Sequence, residues 1–210
     1  MMRILLVDDH AMLRAGLRRI IEDEFARVVI GEAASAEEAL VQLASAAWEV
    51  VVLDISLPGR SGLDLLPELR ERFPACRVIV LSSFGDPQFA VRALREGALA
   101  FLTKERAARE LLDAIRTVST GRRFVSAVLA EQLAGLIAAD RPRSPHETLS
   151  SREFEVFRLI ASARSLSEIA SDLDLSTKTV STYRARILEK MGMSSNAELM
   201  QYAIRHGLVS

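Results

Sequence analysis

Apolar residues run along this chain first as short unbroken blocks and later with a helical rhythm, and the change of period divides it in two. Between Arg3 and about Gly121, blocks such as Leu5-Leu6-Val7, Val50-Val51-Val52-Leu53 and Val78-Ile79-Val80-Leu81 predict strands near 3–8, 27–31, 49–54, 77–82 and 98–102. Stretches of helical periodicity fill the gaps. Unbroken β-branched blocks suit parallel strands buried on both faces, so five strand-helix units predict an α/β fold around a parallel sheet. Ser35 with Glu38 marks the start of the second helix, and Phe73-Pro74 the end of the third.

After Gly121 the strand pattern stops. Val125 to Ala139 reads as one helix carrying Val128, Leu129, Leu133, Leu136 and Ile137, leading out of the first domain. Asp140 to Glu147 holds two prolines, several charges and no aliphatic residue, which predicts a flexible linker. From Leu149 onward the pattern is helical throughout. Capping pairs Ser150 with Glu153, Ser165 with Glu168, and Ser195 with Glu198 start helices near 151, 166 and 196, and Ser176 caps a further one over 177–191, ended by Gly192. The expected division is 1–121, a linker helix and tether over 122–147, and an all-α four-helix domain over 148–210.

A formal net charge of −1 over 210 residues excludes a uniformly basic nucleic-acid binder, so any such activity must come from a local patch. Residues 1–120 hold 18 acids and 15 bases, whereas residues 121–210 hold 10 acids and 12 bases. Cys76 is the only cysteine, which rules out an internal disulfide and suits a reducing cytoplasm. No apolar stretch approaches the roughly 20 residues needed to span a bilayer, and no signal-peptide pattern opens the chain, so a cytoplasmic protein without a membrane partner is expected.

Chemistry collects where the strands end. Asp8 and Asp9 close the first block, Asp54 closes the third, and Lys104 follows Leu99-Ala100-Phe101-Leu102. In a parallel sheet these carboxyl ends meet, and clustered carboxylates need protons or a cation to offset their repulsion. Oxygen ligands alone point to Mg²⁺, with Asp9 and Asp54 as side-chain ligands. The consequence is phosphoryl transfer, with Asp54 as nucleophile and Lys104 and Ser82 pairing with the phosphoryl oxygens. His10 reads as a solvent-facing residue at a helix start, without a ligand role.

The blocks LLVDDH, VVLDISLPGRSG, VIVLSS and AFLTK resemble the receiver domain of bacterial two-component response regulators, in a variation similar to the NarL/FixJ class, over residues 1–121. The resemblance implies a flavodoxin-like five-stranded sheet of order 2-1-3-4-5. It also implies that Asp54 is the phosphoacceptor, Asp8 and Asp9 the acidic pair, Ser56 the donor of a backbone carbonyl to the metal, and Ser82 and Phe101 a switch pair. Phe101 stands where tyrosine is commoner, and Glu105 follows Lys104 where many receivers carry proline.

Residues 166–191 have helix-turn-helix spacing: Ile169 and Ala170 on one helix, Leu173 and Leu175 at the turn, Val180 inward on the next. The outward face of the second helix is expected to show Lys178, Thr179, Ser181, Thr182, Arg184, Arg186 and Lys190, where hydroxyls reach base edges and cations neutralise phosphates. LSSREFEVFRLIASARSLSEIASDLDLSTKTVSTYRARILEKMGMSSNAELMQYAI resembles a LuxR-type DNA-binding domain. Tyr183 occupies the place of a common histidine, and the loop Ala163-Arg164-Ser165 lacks a glycine often found there.

Together the resemblances imply a response regulator that a sensor histidine kinase phosphorylates and that binds double-stranded promoter DNA as a phosphorylation-dependent homodimer, with RNA polymerase a further candidate partner. It would catalyse only its own modification. Two alternatives stay open at this point. One is a Mg²⁺-dependent phosphatase or phosphotransferase working through an aspartyl-phosphate, against which Ser56 stands where a second acid is needed. The other is a regulator whose receiver only dimerises.

Overall fold

Five strands, β1 (Met2–Val7), β2 (Val28–Ala33), β3 (Val50–Asp54), β4 (Arg77–Ser82) and β5 (Ala100–Thr103), lie parallel in the order 2-1-3-4-5 in the computed structural model. The described residues are 1–83, 85, 87–138 and 144–209. Leu5 pairs with Val51 and Val7 with Leu53, so the chain leaves β1 and β3 at the same level. Asp8 and Asp54 therefore emerge side by side. The inner strands are unbroken apolar blocks because helices cover both faces: Ile4–Val7 and Val50–Leu53 are all buried.

The helices of this unit are α1 (Ala11–Glu24), α2 (Ala36–Ser45), α3 (Gly62–Arg72), α4 (Pro87–Arg95) and α5 (Lys104–Ser119). Leu17 and Ile21 of α1 join Leu111, Ile115 and Val118 of α5 against Ile4, Leu6, Val52, Ile79, Leu81 and Leu102 of the sheet. Ser35 caps α2 by accepting from Glu38 N at 3.2 Å, while the Glu38 carboxylate reaches Ala34 N at 2.7 Å, one residue earlier than a capping box would place it.

Beyond α5 the chain runs back along the outer edge of β5. Phe124 forms a parallel bridge with Ala100 and its N–H bonds Leu99 O at 2.9 Å. The next helix, α6 (Ala127–Ala138), begins two residues later than its apolar pattern predicts, with Ser126 Oγ accepting from Leu129 N at 3.3 Å. It belongs to the first unit, packed on α4, with Leu129 buried and Val128 40% exposed. The side chains of Leu136 and Ile137, and all of Ala139, lie outside the described residues, as do Asp140-Arg141-Pro142-Arg143 of the expected tether.

The chain divides into compact units 1–140 and 141–210. Part of the expected tether is ordered into the second: Pro145–Thr148 forms a 3₁₀ turn, and His146 Nδ1 lies 2.6 Å from the Tyr202 hydroxyl. Then come α7 (Ser151–Ala161), α8 (Leu166–Asp172), α9 (Thr177–Met191) and α10 (Asn196–Arg205). Reciprocal capping boxes open α7 and α8 at Ser150/Glu153 and Ser165/Glu168. At α10, Ser195 accepts from Glu198 N but the Glu198 carboxylate bonds Ser194 N. Phe157, Ile169, Val180, Ile187, Leu199 and Ala203 make the core between these helices.

Candidate functional site

Asp54, fully buried, ends β3, and three features of the following loop hold it there. Ser61 caps α3 by accepting from Leu63 N, and donates its hydroxyl to Ile55 O at 3.1 Å. Gly62 N bonds Ile55 O at 2.9 Å. Only glycine fits at position 62, because a Cβ there would meet Asp54 O at 2.0 Å.

Lys104, first residue of α5, sends its ammonium back to the ends of β1 and β3. Nζ donates to Asp54 Oδ2 at 2.8 Å and forms an ion pair with Asp8 Oδ2, also at 2.8 Å. Asp54 Oδ1 is buried and has no hydrogen-bond partner among the described residues. Burial and the Asp8 charge push the Asp54 carboxyl up to about 6, although Lys104 and the Ser56 N–H pull the other way. Burial draws the Lys104 ammonium down, but the Asp54 and Asp8 carboxylates outweigh it and hold the group above its ordinary value.

Ligand atoms of Asp8, Asp9, His10 and Asp54 all lie within 4.8 Å of one another. His10 keeps 63% of its side chain exposed, as its position at a helix start predicts, but the ring folds onto the acids. Its Nδ1 is 2.6 Å from Asp9 Oδ1 and 3.1 Å from Asp8 Oδ1, and its N–H donates to Asp8 Oδ1 at 2.8 Å. A solvent-facing reading of His10 is thus incomplete. An orphaned buried carboxylate oxygen beside two further acids and one ammonium fits a hard divalent cation.

Ser82 is fully buried at the end of β4, and Phe101 is buried in β5. Phe101 also lines a cavity of about 200 Å³ with Thr103, Arg106 and Leu129 of α6. Sequence pattern placed Ser82 at a strand end and Phe101 within the fifth apolar block, but carried no trace of that cavity.

On α9 the exposed stripe is narrower than helical spacing suggests. Lys178, Ser181, Thr182, Arg186 and Lys190 are exposed, whereas Thr179, Tyr183 and Arg184 are half-buried. Thr179 Oγ1 lies 2.8 Å from the capping Ser176 hydroxyl, and Thr182 donates to Lys178 O. Arg184 Nε donates to Asn196 Oδ1 at 2.6 Å, tying α9 to α10. Lys190 donates to Glu153 Oε2 at 2.7 Å. These two cations, expected from the sequence to contact DNA, thus also have partners within the domain.

Residues 4–116 match the response regulator receiver domain family, and residues 147–203 the LuxR family of bacterial regulatory proteins. The chain is a response regulator. Over 209 residues it is 36% identical to the response regulator UvrY of Escherichia coli (strain K12), covering 99% of this chain and 96% of that protein. It is 37% identical to the response regulator GacA of Pseudomonas protegens, with 100% and 98% covered. Among solved structures it is similar to RcsB of Salmonella typhimurium at a TM-score of 0.61 and 26% identity, covering 96% of this chain and 97% of that one. An RcsB–DNA complex gives a TM-score of 0.60 at 25% identity over 96% of each chain.

The regulator thus joins a receiver to a LuxR-type DNA-binding domain and acts in transcription regulation. Among its described residues no helix is long and apolar enough to cross a membrane. Sequence reasoning missed Ser61, Gly62 and Arg14 around the acidic site. For Gly62 a signal was present in the Ser-Gly step closing ISLPGRSG, since glycine at a helix start often marks a close backbone approach.

Proposed function

We propose that the regulator accepts its phosphoryl group on Asp54 from a phosphohistidine of a sensor histidine kinase. The observation that carries this reading is the divided environment of one carboxylate: Oδ2 is held by Lys104, and Oδ1 is buried beside Asp8 and Asp9 with no hydrogen-bond partner among the described residues. An Asp54 oxygen attacks phosphorus in line, the new P–O bond forms, and the P–N bond breaks with its electron pair leaving on the imidazole. Lys104 turns its ammonium to the phosphoryl oxygens, and the Ser82 hydroxyl donates to them. Asp8, Asp9 and Asp54, with the Ser56 carbonyl, would hold Mg²⁺. Bound there, Mg²⁺ neutralises charge on the transferred group. The protein catalyses only its own phosphorylation and dephosphorylation.

Ser82 and Phe101 form the switch pair, with the hydroxyl following the phosphoryl group and the ring repacking in β5. Output is bivalent. Residues 148–210 hold eight bases and seven acids, too small an excess for one module to bind DNA tightly, and Lys190 and Arg184 are engaged internally. Homodimerisation presents two α9 helices to successive major grooves of promoter DNA, converting two weak contacts into one strong one. Lys178, Ser181, Thr182 and Arg186 make the contacts, with Thr179, Tyr183, Arg184 and Lys190 behind them. Supporting this, RcsB has been captured on a promoter in the presence of the phosphomimetic BeF₃⁻ and as dimers on DNA. The working compartment is the cytoplasm, and RNA polymerase is a candidate partner there.

The test is mobility of the full-length protein and its Asp54→Asn variant on genomic DNA fragments, with and without a small phosphodonor and Mg²⁺. Tight binding is expected only for the unsubstituted protein with donor and Mg²⁺. Equal binding in all four conditions removes the switch.

A further inference from the structure

Arg14 lies on the first turns of α1 with only 14% of its side chain exposed, beside the acids but not among them. Its Nη1 donates to the backbone oxygen of Asp8, and its Nε pairs with Glu32 Oε2 at 3.2 Å. Glu32 sits in β2, where it opposes Leu6 of β1, and its other oxygen takes Arg18 Nη1 at 2.6 Å. One guanidinium therefore ties the turn after β1 both to its own helix and to the neighbouring strand. Asp8 N adds a bond to Ala33 O at 3.1 Å on that same strand.

We propose that Arg14 is a positioning residue for the divalent-cation site, acting through the Asp8–Asp9 peptide; this rests on the Mg²⁺ reading above. A peptide unit is planar, so fixing the Asp8 carbonyl oxygen fixes the plane whose other end carries the Asp9 backbone nitrogen. Asp9 needs such a hold. Its carboxylate is 38% exposed, and the partner the structure gives it is the His10 ring. Three neighbouring carboxylates repel one another, and a turn free to rotate would relieve that repulsion by swinging Asp9 outward. The Arg14 bond removes that freedom.

The charge balance fits the same role. A guanidinium this close to a cation site would weaken cation binding if left uncompensated, and Glu32 supplies the compensation. Arg18 in turn holds Glu32 in place. Partners one step removed from a metal typically change its affinity by about 10- to 100-fold when lost.

The experiment is isothermal titration of the full-length protein with MgCl₂ alone, beside its melting temperature without Mg²⁺. Arg14→Ala is expected to weaken Mg²⁺ by about tenfold or more. Arg14→Lys, which keeps one donor for the Asp8 oxygen, recovers part of the loss, and Glu32→Gln weakens binding by a smaller factor. Arg19→Ala, at an exposed residue of the same helix paired with Asp23, binds Mg²⁺ as the unsubstituted protein does. Unchanged affinity in Arg14→Ala overturns the proposal. So does a loss matched by a falling Mg²⁺-free melting temperature and not rescued by lysine, which marks a merely structural arginine. An unsubstituted protein that binds no Mg²⁺, or an Asp9→Asn variant that binds it equally well, overturns the cation reading itself and this proposal with it.

Discussion

Lys104 Nζ stands 2.8 Å from Asp54 Oδ2, joining residues 50 positions apart, and the same ammonium reaches Asp8 at 2.8 Å. One positive charge thus serves two carboxylates that are both almost fully buried. Burial, with the Asp8 charge, outweighs the Lys104 pairing, and the Asp54 carboxyl is raised to about 6. The site is therefore under electrostatic load until a cation or a phosphoryl group with its cation arrives.

That load has a pH signature. The folded carboxyl at about 6 binds its proton more tightly than an unfolded one near 3.8, so between those values the native state carries more protons. Stability falls as pH rises through that window, by about 3 kcal/mol for a shift of roughly two pKa units. Denaturant unfolding of the Mg²⁺-free protein, taken as its difference from Asp54→Asn, should decline from pH 4 to pH 7. A flat difference would show that Asp54 is not loaded.

Gly62→Ala tests the loop that sets Asp54. A methyl group 2.0 Å from Asp54 O forces the strand end and the start of α3 apart. Destabilisation of about 2–3 kcal/mol is expected from such overpacking, with slower phosphorylation by a small phosphodonor in whatever protein remains folded. Wild-type unfolding and phosphorylation rates in this variant would contradict the tight approach.

On α9, the cations with an ion-pair or hydrogen-bond partner inside the domain are expected to contribute less to DNA binding than Lys178 and Arg186. Lys178→Ala and Arg186→Ala should each lower the salt slope of DNA binding by about one. Lys190→Ala should leave that slope in place while costing about 1 kcal/mol of stability, because Glu153 loses a partner that holds its carboxyl below the usual range against burial. A slope that falls with Lys190 instead would return it to the DNA face.

Ala163, between α7 and α8, has φ 62°, in the left-handed region that a side chain resists. Ala163→Gly is expected to raise stability by about 1 kcal/mol and the calorimetric melting point of the second unit by about 5 °C. An unchanged or lower melting point would mean the neighbouring packing already absorbs the strain.

Much of this was legible from residue order because the signals are local. Unbroken apolar blocks named the strands and the acids ending them. The four C-terminal helices were marked by Ser caps, each of which accepts the backbone bond expected of it. What residue order did not show was non-local. Nothing near Lys190 in the chain announces Glu153, 37 positions away, so helical spacing carried no trace of that ion pair.

What the sequence determined by itself is the set of elements and the chemistry available at their ends, since period, capping and residue type are written over a few positions. Only the tertiary structure decided which charges are compensated. Arg14 bonding the Asp8 oxygen, Lys104 shared between two acids, an Asp54 oxygen without a hydrogen-bond partner among the described residues, and Lys190 paired with Glu153 are all outcomes of folding. The reason is physical: an ion pair depends on distance and burial, which chain order does not encode until the sheet and helices bring distant residues together.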